Sequence, residues 1–367
     1  MVALLLLLLA VFLTASSTAA SSQETPAAHP TSRARSSPAA MVSPALPKPL
    51  RGVPLIGATG LRLLVADDPP ILFDVDTGRI TPVSGLSVRG NPVLSVLAVG
   101  KEAVVWLDRR APTKKVPTAE IYVVRGGGST AKRIASGWDI APAADNRAVW
   151  VKSFADTRHC FLRELALSGR QLRRRPVPCS SRLIDGGSGA LLVQGSSVVD
   201  PLTMRTLLRT GGVWAVAGNY ALTSAGCCQP LTLTDLRSGK RRQLAWPSKI
   251  TGVDQAAAQP NHKLVAVDFA DPAYQGGGTQ VTDAWLLDPA TGRIVHLPDM
   301  PADVALKFTS MSWTSDGRLV WLAQTAGHDV VAVWRPGEKR IAARRARLPV
   351  RDSGSDSFVV WAVTRSR

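Results

Sequence analysis

The chain has 367 residues, and its 44 Lys and Arg against 27 Asp and Glu give a net charge of +17. No stretch keeps an apolar period of 3.6 residues, which excludes a helix-dominated body, while 30 Gly and 26 Pro suit a fold with many tight turns. The basic clusters lack the interleaved aromatic residues of a single-strand platform, which argues against nucleic acid as a partner.

The N-terminal segment predicts export. Residues 2–13 form an apolar run shorter than the roughly 18–20 residues that span a membrane, and small residues follow it at a suitable cleavage position. We predict a secretory signal peptide over residues 1–20, although no Lys or Arg precedes the run; an uncleaved anchor is the alternative. Residues 21–52, rich in Ser, Ala and Pro, predict a disordered tether. Residues 53–367 are the predicted folded domain of a secreted or extracytoplasmic protein.

Seven segments of this domain share one pattern: a short apolar strand, a tight turn and a second strand. Their turns lie about 43 residues apart on average, a strand-rich period that is typical of a β-propeller. The turns are near Gly78, Gly127, Gly169, Thr203, Gly239, Gly292 and Gly337. The predicted blades cover residues 53–86, 93–135, 138–177, 183–209, 213–246, 251–298 and 309–348.

Two kinds of hairpin alternate along the chain. Asp74–Arg79, Asp235–Lys240 and Asp288–Arg293 share an Asp that can cap the turn and a Gly that supplies a positive φ. Upstream of such hairpins, a polar turn precedes a strand that ends in Trp; the four Trp residues are Trp106, Trp150, Trp321 and Trp361. Two hairpins per unit predict an all-β propeller of seven four-stranded blades, with Trp packed between neighbouring blades.

The last strand-like segment, Ser357–Val363, has no hairpin after it. An open ring would leave an exposed sheet edge, so we expect this strand to join the first blade and close the circle. An incomplete eighth blade is the alternative.

One segment carries a resemblance to a known family. Ser312–Trp321 (SWTSDGRLVW) resembles the S-W-S-P-D-G-K-x-I-x-F repeat of TolB-like, or WD40-like, propellers, and Gln259–Lys263 is similar to a second, diverged copy. The resemblance covers the body from about residue 53 onward. It implies an envelope or secreted scaffold that binds protein partners, and it does not imply catalysis.

The four cysteines are read as those of an exported protein, in which disulfides are plausible. Cys160 and Cys179 bracket the third hairpin, and a turn at Ser168-Gly169 would place them opposite each other, so we predict a disulfide between them. Cys227 and Cys228 are adjacent and could form a vicinal ring, stay free or pair elsewhere.

Basic residues concentrate on the second strands of the hairpins. Such strands are outermost in a propeller, where Lys and Arg prevent edge-to-edge aggregation. A cationic rim that contacts anionic lipid or a cell-wall polymer at the membrane surface is the alternative. The clusters include Arg170, Arg173–Arg175, Lys240–Arg242, Lys339, Arg340, Arg344, Arg345 and Arg347.

The sequence contains no G-x-S-x-G elbow, no H-E-x-x-H and no C-x-x-C, and we predict no catalytic residue, metal or cofactor. The carboxylate pairs Asp67-Asp68 and Asp268 with Asp271 are interpreted as loop caps; a general acid–base pair or a cation site is the alternative. Four longer loops should join second to third strands: residues 108–118, 224–230, 269–283 and 324–329. Because binding residues concentrate on such loops, the candidate ligand-binding residues are Arg109, Arg110, Lys114, Lys115, Tyr274 and His328.

These observations favour a monomeric, non-catalytic binding scaffold for a protein or an anionic envelope component. A propeller hydrolase or lyase acting on a wall or extracellular polymer is one alternative. A cationic envelope-adhesion protein is the other.

Overall fold

The computed structural model describes residues 52–364, apart from residues 66–68, 87–92, 100–101, 110–117, 126–127, 145–146, 187–188, 211, 225–229, 246–251, 261–262, 271–279, 300–303, 307–308, 326–327 and 349–359. The predicted signal peptide and nearly all of the tether therefore lie outside the described residues. No helix capable of crossing a membrane occurs within the described part of the chain.

Thirty strands lie in the described residues. The first ten are β1 Val53–Pro54, β2 Leu61–Val65, β3 Ile71–Asp74, β4 Ile80–Pro82, β5 Val93–Val99, β6 Glu102–Arg109, β7 Thr118–Arg125, β8 Ala131–Gly137, β9 Asp139–Pro142 and β10 Ala148–Phe154. The next ten are β11 Cys160–Ala166, β12 Gln171–Val177, β13 Arg182–Asp185, β14 Ala190–Gln194, β15 Ser197–Val199, β16 Thr206–Arg209, β17 Val213–Ala217, β18 Tyr220–Thr223, β19 Thr232–Asp235 and β20 Arg241–Gln243. The last ten are β21 Gly252–Ala258, β22 Val265–Ala270, β23 Gln280–Leu287, β24 Ile294–His296, β25 Val304–Leu306, β26 Thr309–Trp313, β27 Leu319–Thr325, β28 His328–Trp334, β29 Ala342–Ala346 and β30 Val360–Thr364.

Hydrogen bonding groups these strands into seven sheets within the described residues. Sheets 1 to 7 are, in order, β30-β2-β3-β4, β5 to β8, β9 to β12, β13 to β16, β17 to β20, β21 to β24 with β25 on β23, and β26 to β29 with β1 on β29. Sheets 6 and 7 thus have five strands, not the predicted four. β25 pairs with the first three residues of the long strand β23, and β1 pairs with the outer strand β29, so each added strand covers an otherwise unpaired edge.

Apolar clusters in the described residues join each sheet to the next one along the chain. The clusters lie between sheets 1 and 2, 2 and 3, 3 and 4, 4 and 5, 5 and 6, 6 and 7, and 7 and 1. Trp150 packs in the cluster between sheets 3 and 4, and Trp321 packs between sheets 6 and 7, as predicted; the other two Trp side chains of that motif lie outside the described part. Because the last cluster joins sheet 7 to sheet 1, the sheets form a closed ring, and the all-β propeller prediction is confirmed.

The two ends of the described chain meet at the junction of sheets 1 and 7. The C-terminal strand β30 pairs antiparallel with β2, which is the closure that the sequence predicted. The N-terminal strand β1 pairs in parallel with β29, so the prediction that Val53 belongs to the first blade is wrong. The backbone N–H groups of Val53 and Leu55 donate to the carbonyls of Ile341 and Ala343, each at 2.9 Å. A Cβ at Gly52 would lie 2.8 Å from the Ile341 carbonyl oxygen, so a glycine permits this approach.

The hairpin turns follow the predicted chemistry. Asp74 accepts hydrogen bonds at Oδ1 from the backbone of residues 76 and 77, and Gly78 takes a φ of 70°. The fourth hairpin has Met204 at the corresponding position, with a φ of 60° and a backbone N–H that donates to Asp200. A Met residue in the left-handed backbone conformation is strained. The Met204 side chain packs against the cluster between sheets 3 and 4, and this packing offsets part of the conformational strain energy.

Arginines of the outer strands tie neighbouring sheets together. Arg344 of sheet 7 donates to the carbonyls of Val75 at 2.6 Å, Asp76 at 3.2 Å and Leu55 at 2.8 Å. Arg241 and Arg242 of sheet 5 donate to carbonyls in sheets 4 and 6, respectively. Part of the positive charge expected at exposed edges is therefore used to hold one sheet to the next.

Candidate functional site

The predicted ligand-binding residues mostly fall outside the described residues. Arg110, Lys114, Lys115 and Tyr274 lie in segments that are not described, as do residues 227 and 228, Asp67-Asp68 and Asp271. Arg109 ends β6 and His328 begins β28, but their side chains are also outside the described part. The predicted loop at 324–329 is wrong, because β27 and β28 continue until only two residues separate them. The site therefore remains a prediction for these residues.

The predicted disulfide is present. Cys160 begins β11, Cys179 follows β12, and their Cα atoms are 5.1 Å apart. The bond joins the two strands of the third hairpin at its open end, which fixes the outer half of sheet 3.

A buried lysine stabilises the same end of sheet 3 through polar contacts. Lys152 Nζ lies 3.3 Å from Asp139 Oδ2 and donates to the carbonyl oxygens of Cys179, at 3.2 Å, and Ser181. A buried ammonium group requires such partners, because an unpaired charge in the interior is strongly destabilising. This residue was not predicted from the sequence, where its signal is a single Lys inside the apolar strand AVWVKSF.

Two His–Asp contacts occur in the described residues. His159 Nδ1 lies 2.7 Å from Asp156 Oδ2 in an exposed turn, where the backbone N–H of Arg158, followed by the His159 ring, lowers the pKa of Asp156 to about 2. His296 Nε2 lies 2.7 Å from the buried Asp283 on the outer half of sheet 6. Neither contact lies on the first strand of its sheet. The described residues hold no group of three or more His, Cys, Asp or Glu suited to a metal ion.

A surface cleft of about 680 Å³ crosses sheets 3, 4 and 5. Turns joining first to second and third to fourth strands supply much of its lining: Ala143, Ala144, Gly189, Asp200, Pro201, Leu202, Arg205, Gly218, Asn219, Leu236 and Arg237. The strands of sheet 4 have three to five residues, whereas three strands of sheet 3 have seven. Since each residue adds about 3.3 Å to a strand, the short sheet leaves space between its neighbours.

The floor of the cleft is apolar. Leu191 and Val216 are buried there, and Leu207 is half-buried beside them. Leu202 stands on the rim with 44% of its surface exposed. An exposed leucine beside an apolar floor is a surface that an apolar side chain of a ligand can cover.

The walls of the cleft carry both signs of charge. Arg173 Nε lies 3.3 Å from Glu164 Oε2 on the side of sheet 3. Asp200 is engaged by its own turn, where it accepts hydrogen bonds from the backbone N–H of Leu202 and from the Thr203 hydroxyl. Arg205 and Arg237 are exposed at the opposite rim. Both signs of charge around an apolar floor suit a polypeptide, which can present apolar, acidic and basic groups together.

This cleft was not predicted from the sequence. The sequence feature that pointed to it is the fourth repeat, which is the shortest of the seven and has no turn glycine. The cleft combines turns from three repeats, so its lining depends on which sheets are neighbours and how long their strands are.

No protein-family model and no curated protein matches the chain. Solved structures similar to it include TolB from Acinetobacter baumannii, at 12% identity and a TM-score of 0.45 over 79% of this chain and 64% of that one. The β-propeller domain of the Trilobed protease from Pyrococcus furiosus is 13% identical with a TM-score of 0.49, over 79% and 92% of the two chains. An acylaminoacyl peptidase from Pyrococcus horikoshii is 13% identical with a TM-score of 0.48, over 78% and 50%. The chain thus spans less than two thirds of TolB and of the peptidase.

Proposed function

We propose that the chain is a seven-bladed, secreted or extracytoplasmic propeller that binds a protein partner without catalysing a reaction. The seven sheets and the seven clusters between them, all within the described residues, support the number of blades. The disulfide between Cys160 and Cys179 supports an oxidising compartment, since such bonds persist outside the cytosol.

The observation that carries this proposal is the cleft over sheets 3 to 5. Its volume of about 680 Å³ lies within the range of sites that accept a ligand or a short peptide segment. The half-buried Leu207 and the exposed Leu202 offer apolar contact, and Arg205 and Arg237 offer donors to carboxylates and main-chain carbonyls of a partner. We infer that an extended segment or loop of the partner lies across this cleft.

The two rival functions receive less support. The adhesion alternative depends on free surface charge, and Arg241, Arg242 and Arg344 donate to carbonyls of neighbouring sheets instead. The enzyme alternative requires acids that converge from several blades. The Asp283–His296 contact lies within a single sheet, on its outer half.

Selection from a displayed random-peptide library tests the proposal. The bait is the purified, oxidised full chain, and selected peptides are then titrated against variants. We expect them to bind Arg237→Glu at least about tenfold more weakly than wild type, because the substitution reverses the charge on one wall of the cleft.

Lys240→Glu is the matched control, because it makes the same charge change on an exposed residue of the same turn that does not line the cleft. Selected peptides that bind both variants as well as wild type would contradict the cleft as the docking site. Incubation with purified cell-wall polymer supplies the second arm. Release of soluble fragments would overturn the non-catalytic assignment, and capture by anionic vesicles but by no peptide would favour adhesion.

A further inference from the structure

A second cavity, of about 360 Å³, lies between sheets 2 and 3, away from the cleft. Its lining is polar and contains no Asp or Glu among the described residues: Ser136, Gly137, Ser153, Phe154, Ala155, Phe161, Arg163, Gln171 and Arg174. The two sheets approach closely beside it, since a Cβ at Gly137 would lie 2.8 Å from the Lys152 carbonyl oxygen. The cavity is therefore a gap beside a tightly packed contact of the two sheets.

Arg163 supplies the inner charge of this cavity. Its Nη2 donates to the Ser136 carbonyl at 2.5 Å, which ties sheet 3 to sheet 2. Its Nε is buried and has no hydrogen-bond partner. A buried guanidinium N–H without an acceptor is costly, so this atom points to an acceptor that the protein itself does not supply.

Arg174 supplies the outer charge. It lies directly across from Arg163 in the pairing of β11 with β12, and its guanidinium carbon is 3.7 Å from the centre of the Phe161 ring. Like charges at directly opposed strand positions destabilise a sheet. Burial, followed by the charge of Arg174, lowers the pKa of Arg163. Stacking on Phe161 holds the second guanidinium in place despite this repulsion.

We propose that this cavity binds the phosphate group of a small, soluble phosphomonoester. Two guanidinium charges match the two negative charges of a monoester at neutral pH, and their planar forks suit tetrahedral oxoanions. The orphaned Nε of Arg163 gains an acceptor, and the Ser153 hydroxyl and Gln171 amide are further polar groups in the lining. The remaining volume accommodates a small polar substituent on the phosphate.

The disulfide supports this site. Cys160 directly precedes Phe161 on β11. Its bond to Cys179 closes the open end of the hairpin that carries both arginines. The backbone that carries the two arginines is therefore constrained before a ligand arrives, while the Ser136 carbonyl and the Phe161 ring hold the guanidinium groups, which lowers the entropic cost of binding.

Calorimetric titration of the oxidised full chain with inorganic phosphate and with glycerol 3-phosphate, at an ionic strength fixed by sodium chloride, tests the proposal. We expect saturable binding of both that weakens at least about tenfold in Arg174→Gln. Arg174 is exposed, so its loss should not unfold the chain. Arg163→Lys, which keeps the charge without the fork, should also weaken binding.

The matched control is Arg175→Gln, which removes the same charge from the next residue on the strand but does not line the cavity. It should keep the wild-type affinity. Equal affinities of wild type and Arg174→Gln would overturn the site. If acetate binds as tightly as phosphate, the assignment to a dianion is overturned. If phosphatidic-acid vesicles capture the protein but glycerol 3-phosphate does not bind, the assignment to a soluble ligand is overturned.

Discussion

Arg173 and Arg174 are neighbours on the outer strand of sheet 3, yet their side chains line two separate cavities. Arg173 pairs with Glu164 in the cleft over sheets 3 to 5, and Arg174 stacks on Phe161 in the cavity toward sheet 2. Successive residues of a strand point to opposite faces, so one strand serves both sites.

This arrangement predicts that the two sites can be weakened one at a time. Arg173→Gln should weaken the binding of cleft-selected peptides by several-fold, and Arg174→Gln should weaken the binding of phosphate. Titration of each variant with both probes checks the prediction. Parallel losses of both affinities in either variant would show that the two sites are coupled or that the hairpin has been distorted.

Gly239→Ala should destabilise the protein by about 1–2 kcal/mol. Gly239 has a φ of 73°, and a Cβ there would meet no atom within 4 Å, so only the backbone conformation is penalised. Urea unfolding measures the difference. Lys240→Ala, at the next and exposed position, should stay within about 0.5 kcal/mol of wild type.

Arg344→Gln should destabilise the closed ring by about 2–3 kcal/mol, because Leu55 and Val75 lose a charged hydrogen-bond donor. Arg345→Gln is its control, because this substitution removes the same charge from an exposed residue. Urea unfolding of the two variants checks the prediction. Equal stabilities would show that closure depends on strand pairing alone.

Asp76 should make the ring junction sensitive to acid. Burial raises the pKa of Asp76, but hydrogen bonds from Thr59 and Gly60 and the charge of Arg344 outweigh burial and hold it below its ordinary value of 3.8. The folded chain therefore binds this proton less readily than the unfolded chain. Its stabilising contribution is complete above about pH 4 and is lost as the pH falls toward the folded pKa.

Unfolding midpoints of wild type and Asp76→Asn between pH 6 and pH 3 test this prediction. The gap between the two curves should narrow toward the acid end, because the carboxylate contribution of the wild type shrinks as the pH falls below the ordinary pKa of 3.8. A constant gap across the range would contradict it.

Reduction of the disulfide should cost about 3 kcal/mol of stability in the chain-entropy description. The Cys160→Ser/Cys179→Ser double variant should show the same loss, and a reducing agent should not destabilise it further. Urea unfolding with and without the reductant compares the two proteins. A further loss in the reduced double variant would implicate Cys227 or Cys228.

The repeats and their turns could be predicted from the sequence because their chemistry is local. Asp74 and Gly78 lie within five residues of each other, and the conformational demand of that turn is visible in the residue types. The disulfide was predictable for the same reason, since Cys160 and Cys179 bracket one hairpin.

The two cavities and the strand β1 could not be predicted because they depend on contacts between different repeats. Val53–Pro54 is too short to show a strand period, and its partner lies almost 290 residues away at Ala342. The arginines of the outer strands look alike in sequence. The neighbouring sheet decides what such an arginine meets. Arg344 meets a carbonyl of the next sheet, whereas Arg174 faces an open cavity.

The parallel strand β1 makes the two ends of the described domain, at residues 52 and 364, mechanically unequal. Tension at residue 52 acts on a two-residue strand at the outer rim and would peel that strand from β29 before reaching the ring. Tension at residue 364 acts on a five-residue strand inserted beside β2 and would open the circle itself. A cargo or surface anchor fused ahead of residue 52 should therefore be tolerated under load, whereas one fused after residue 364 should not.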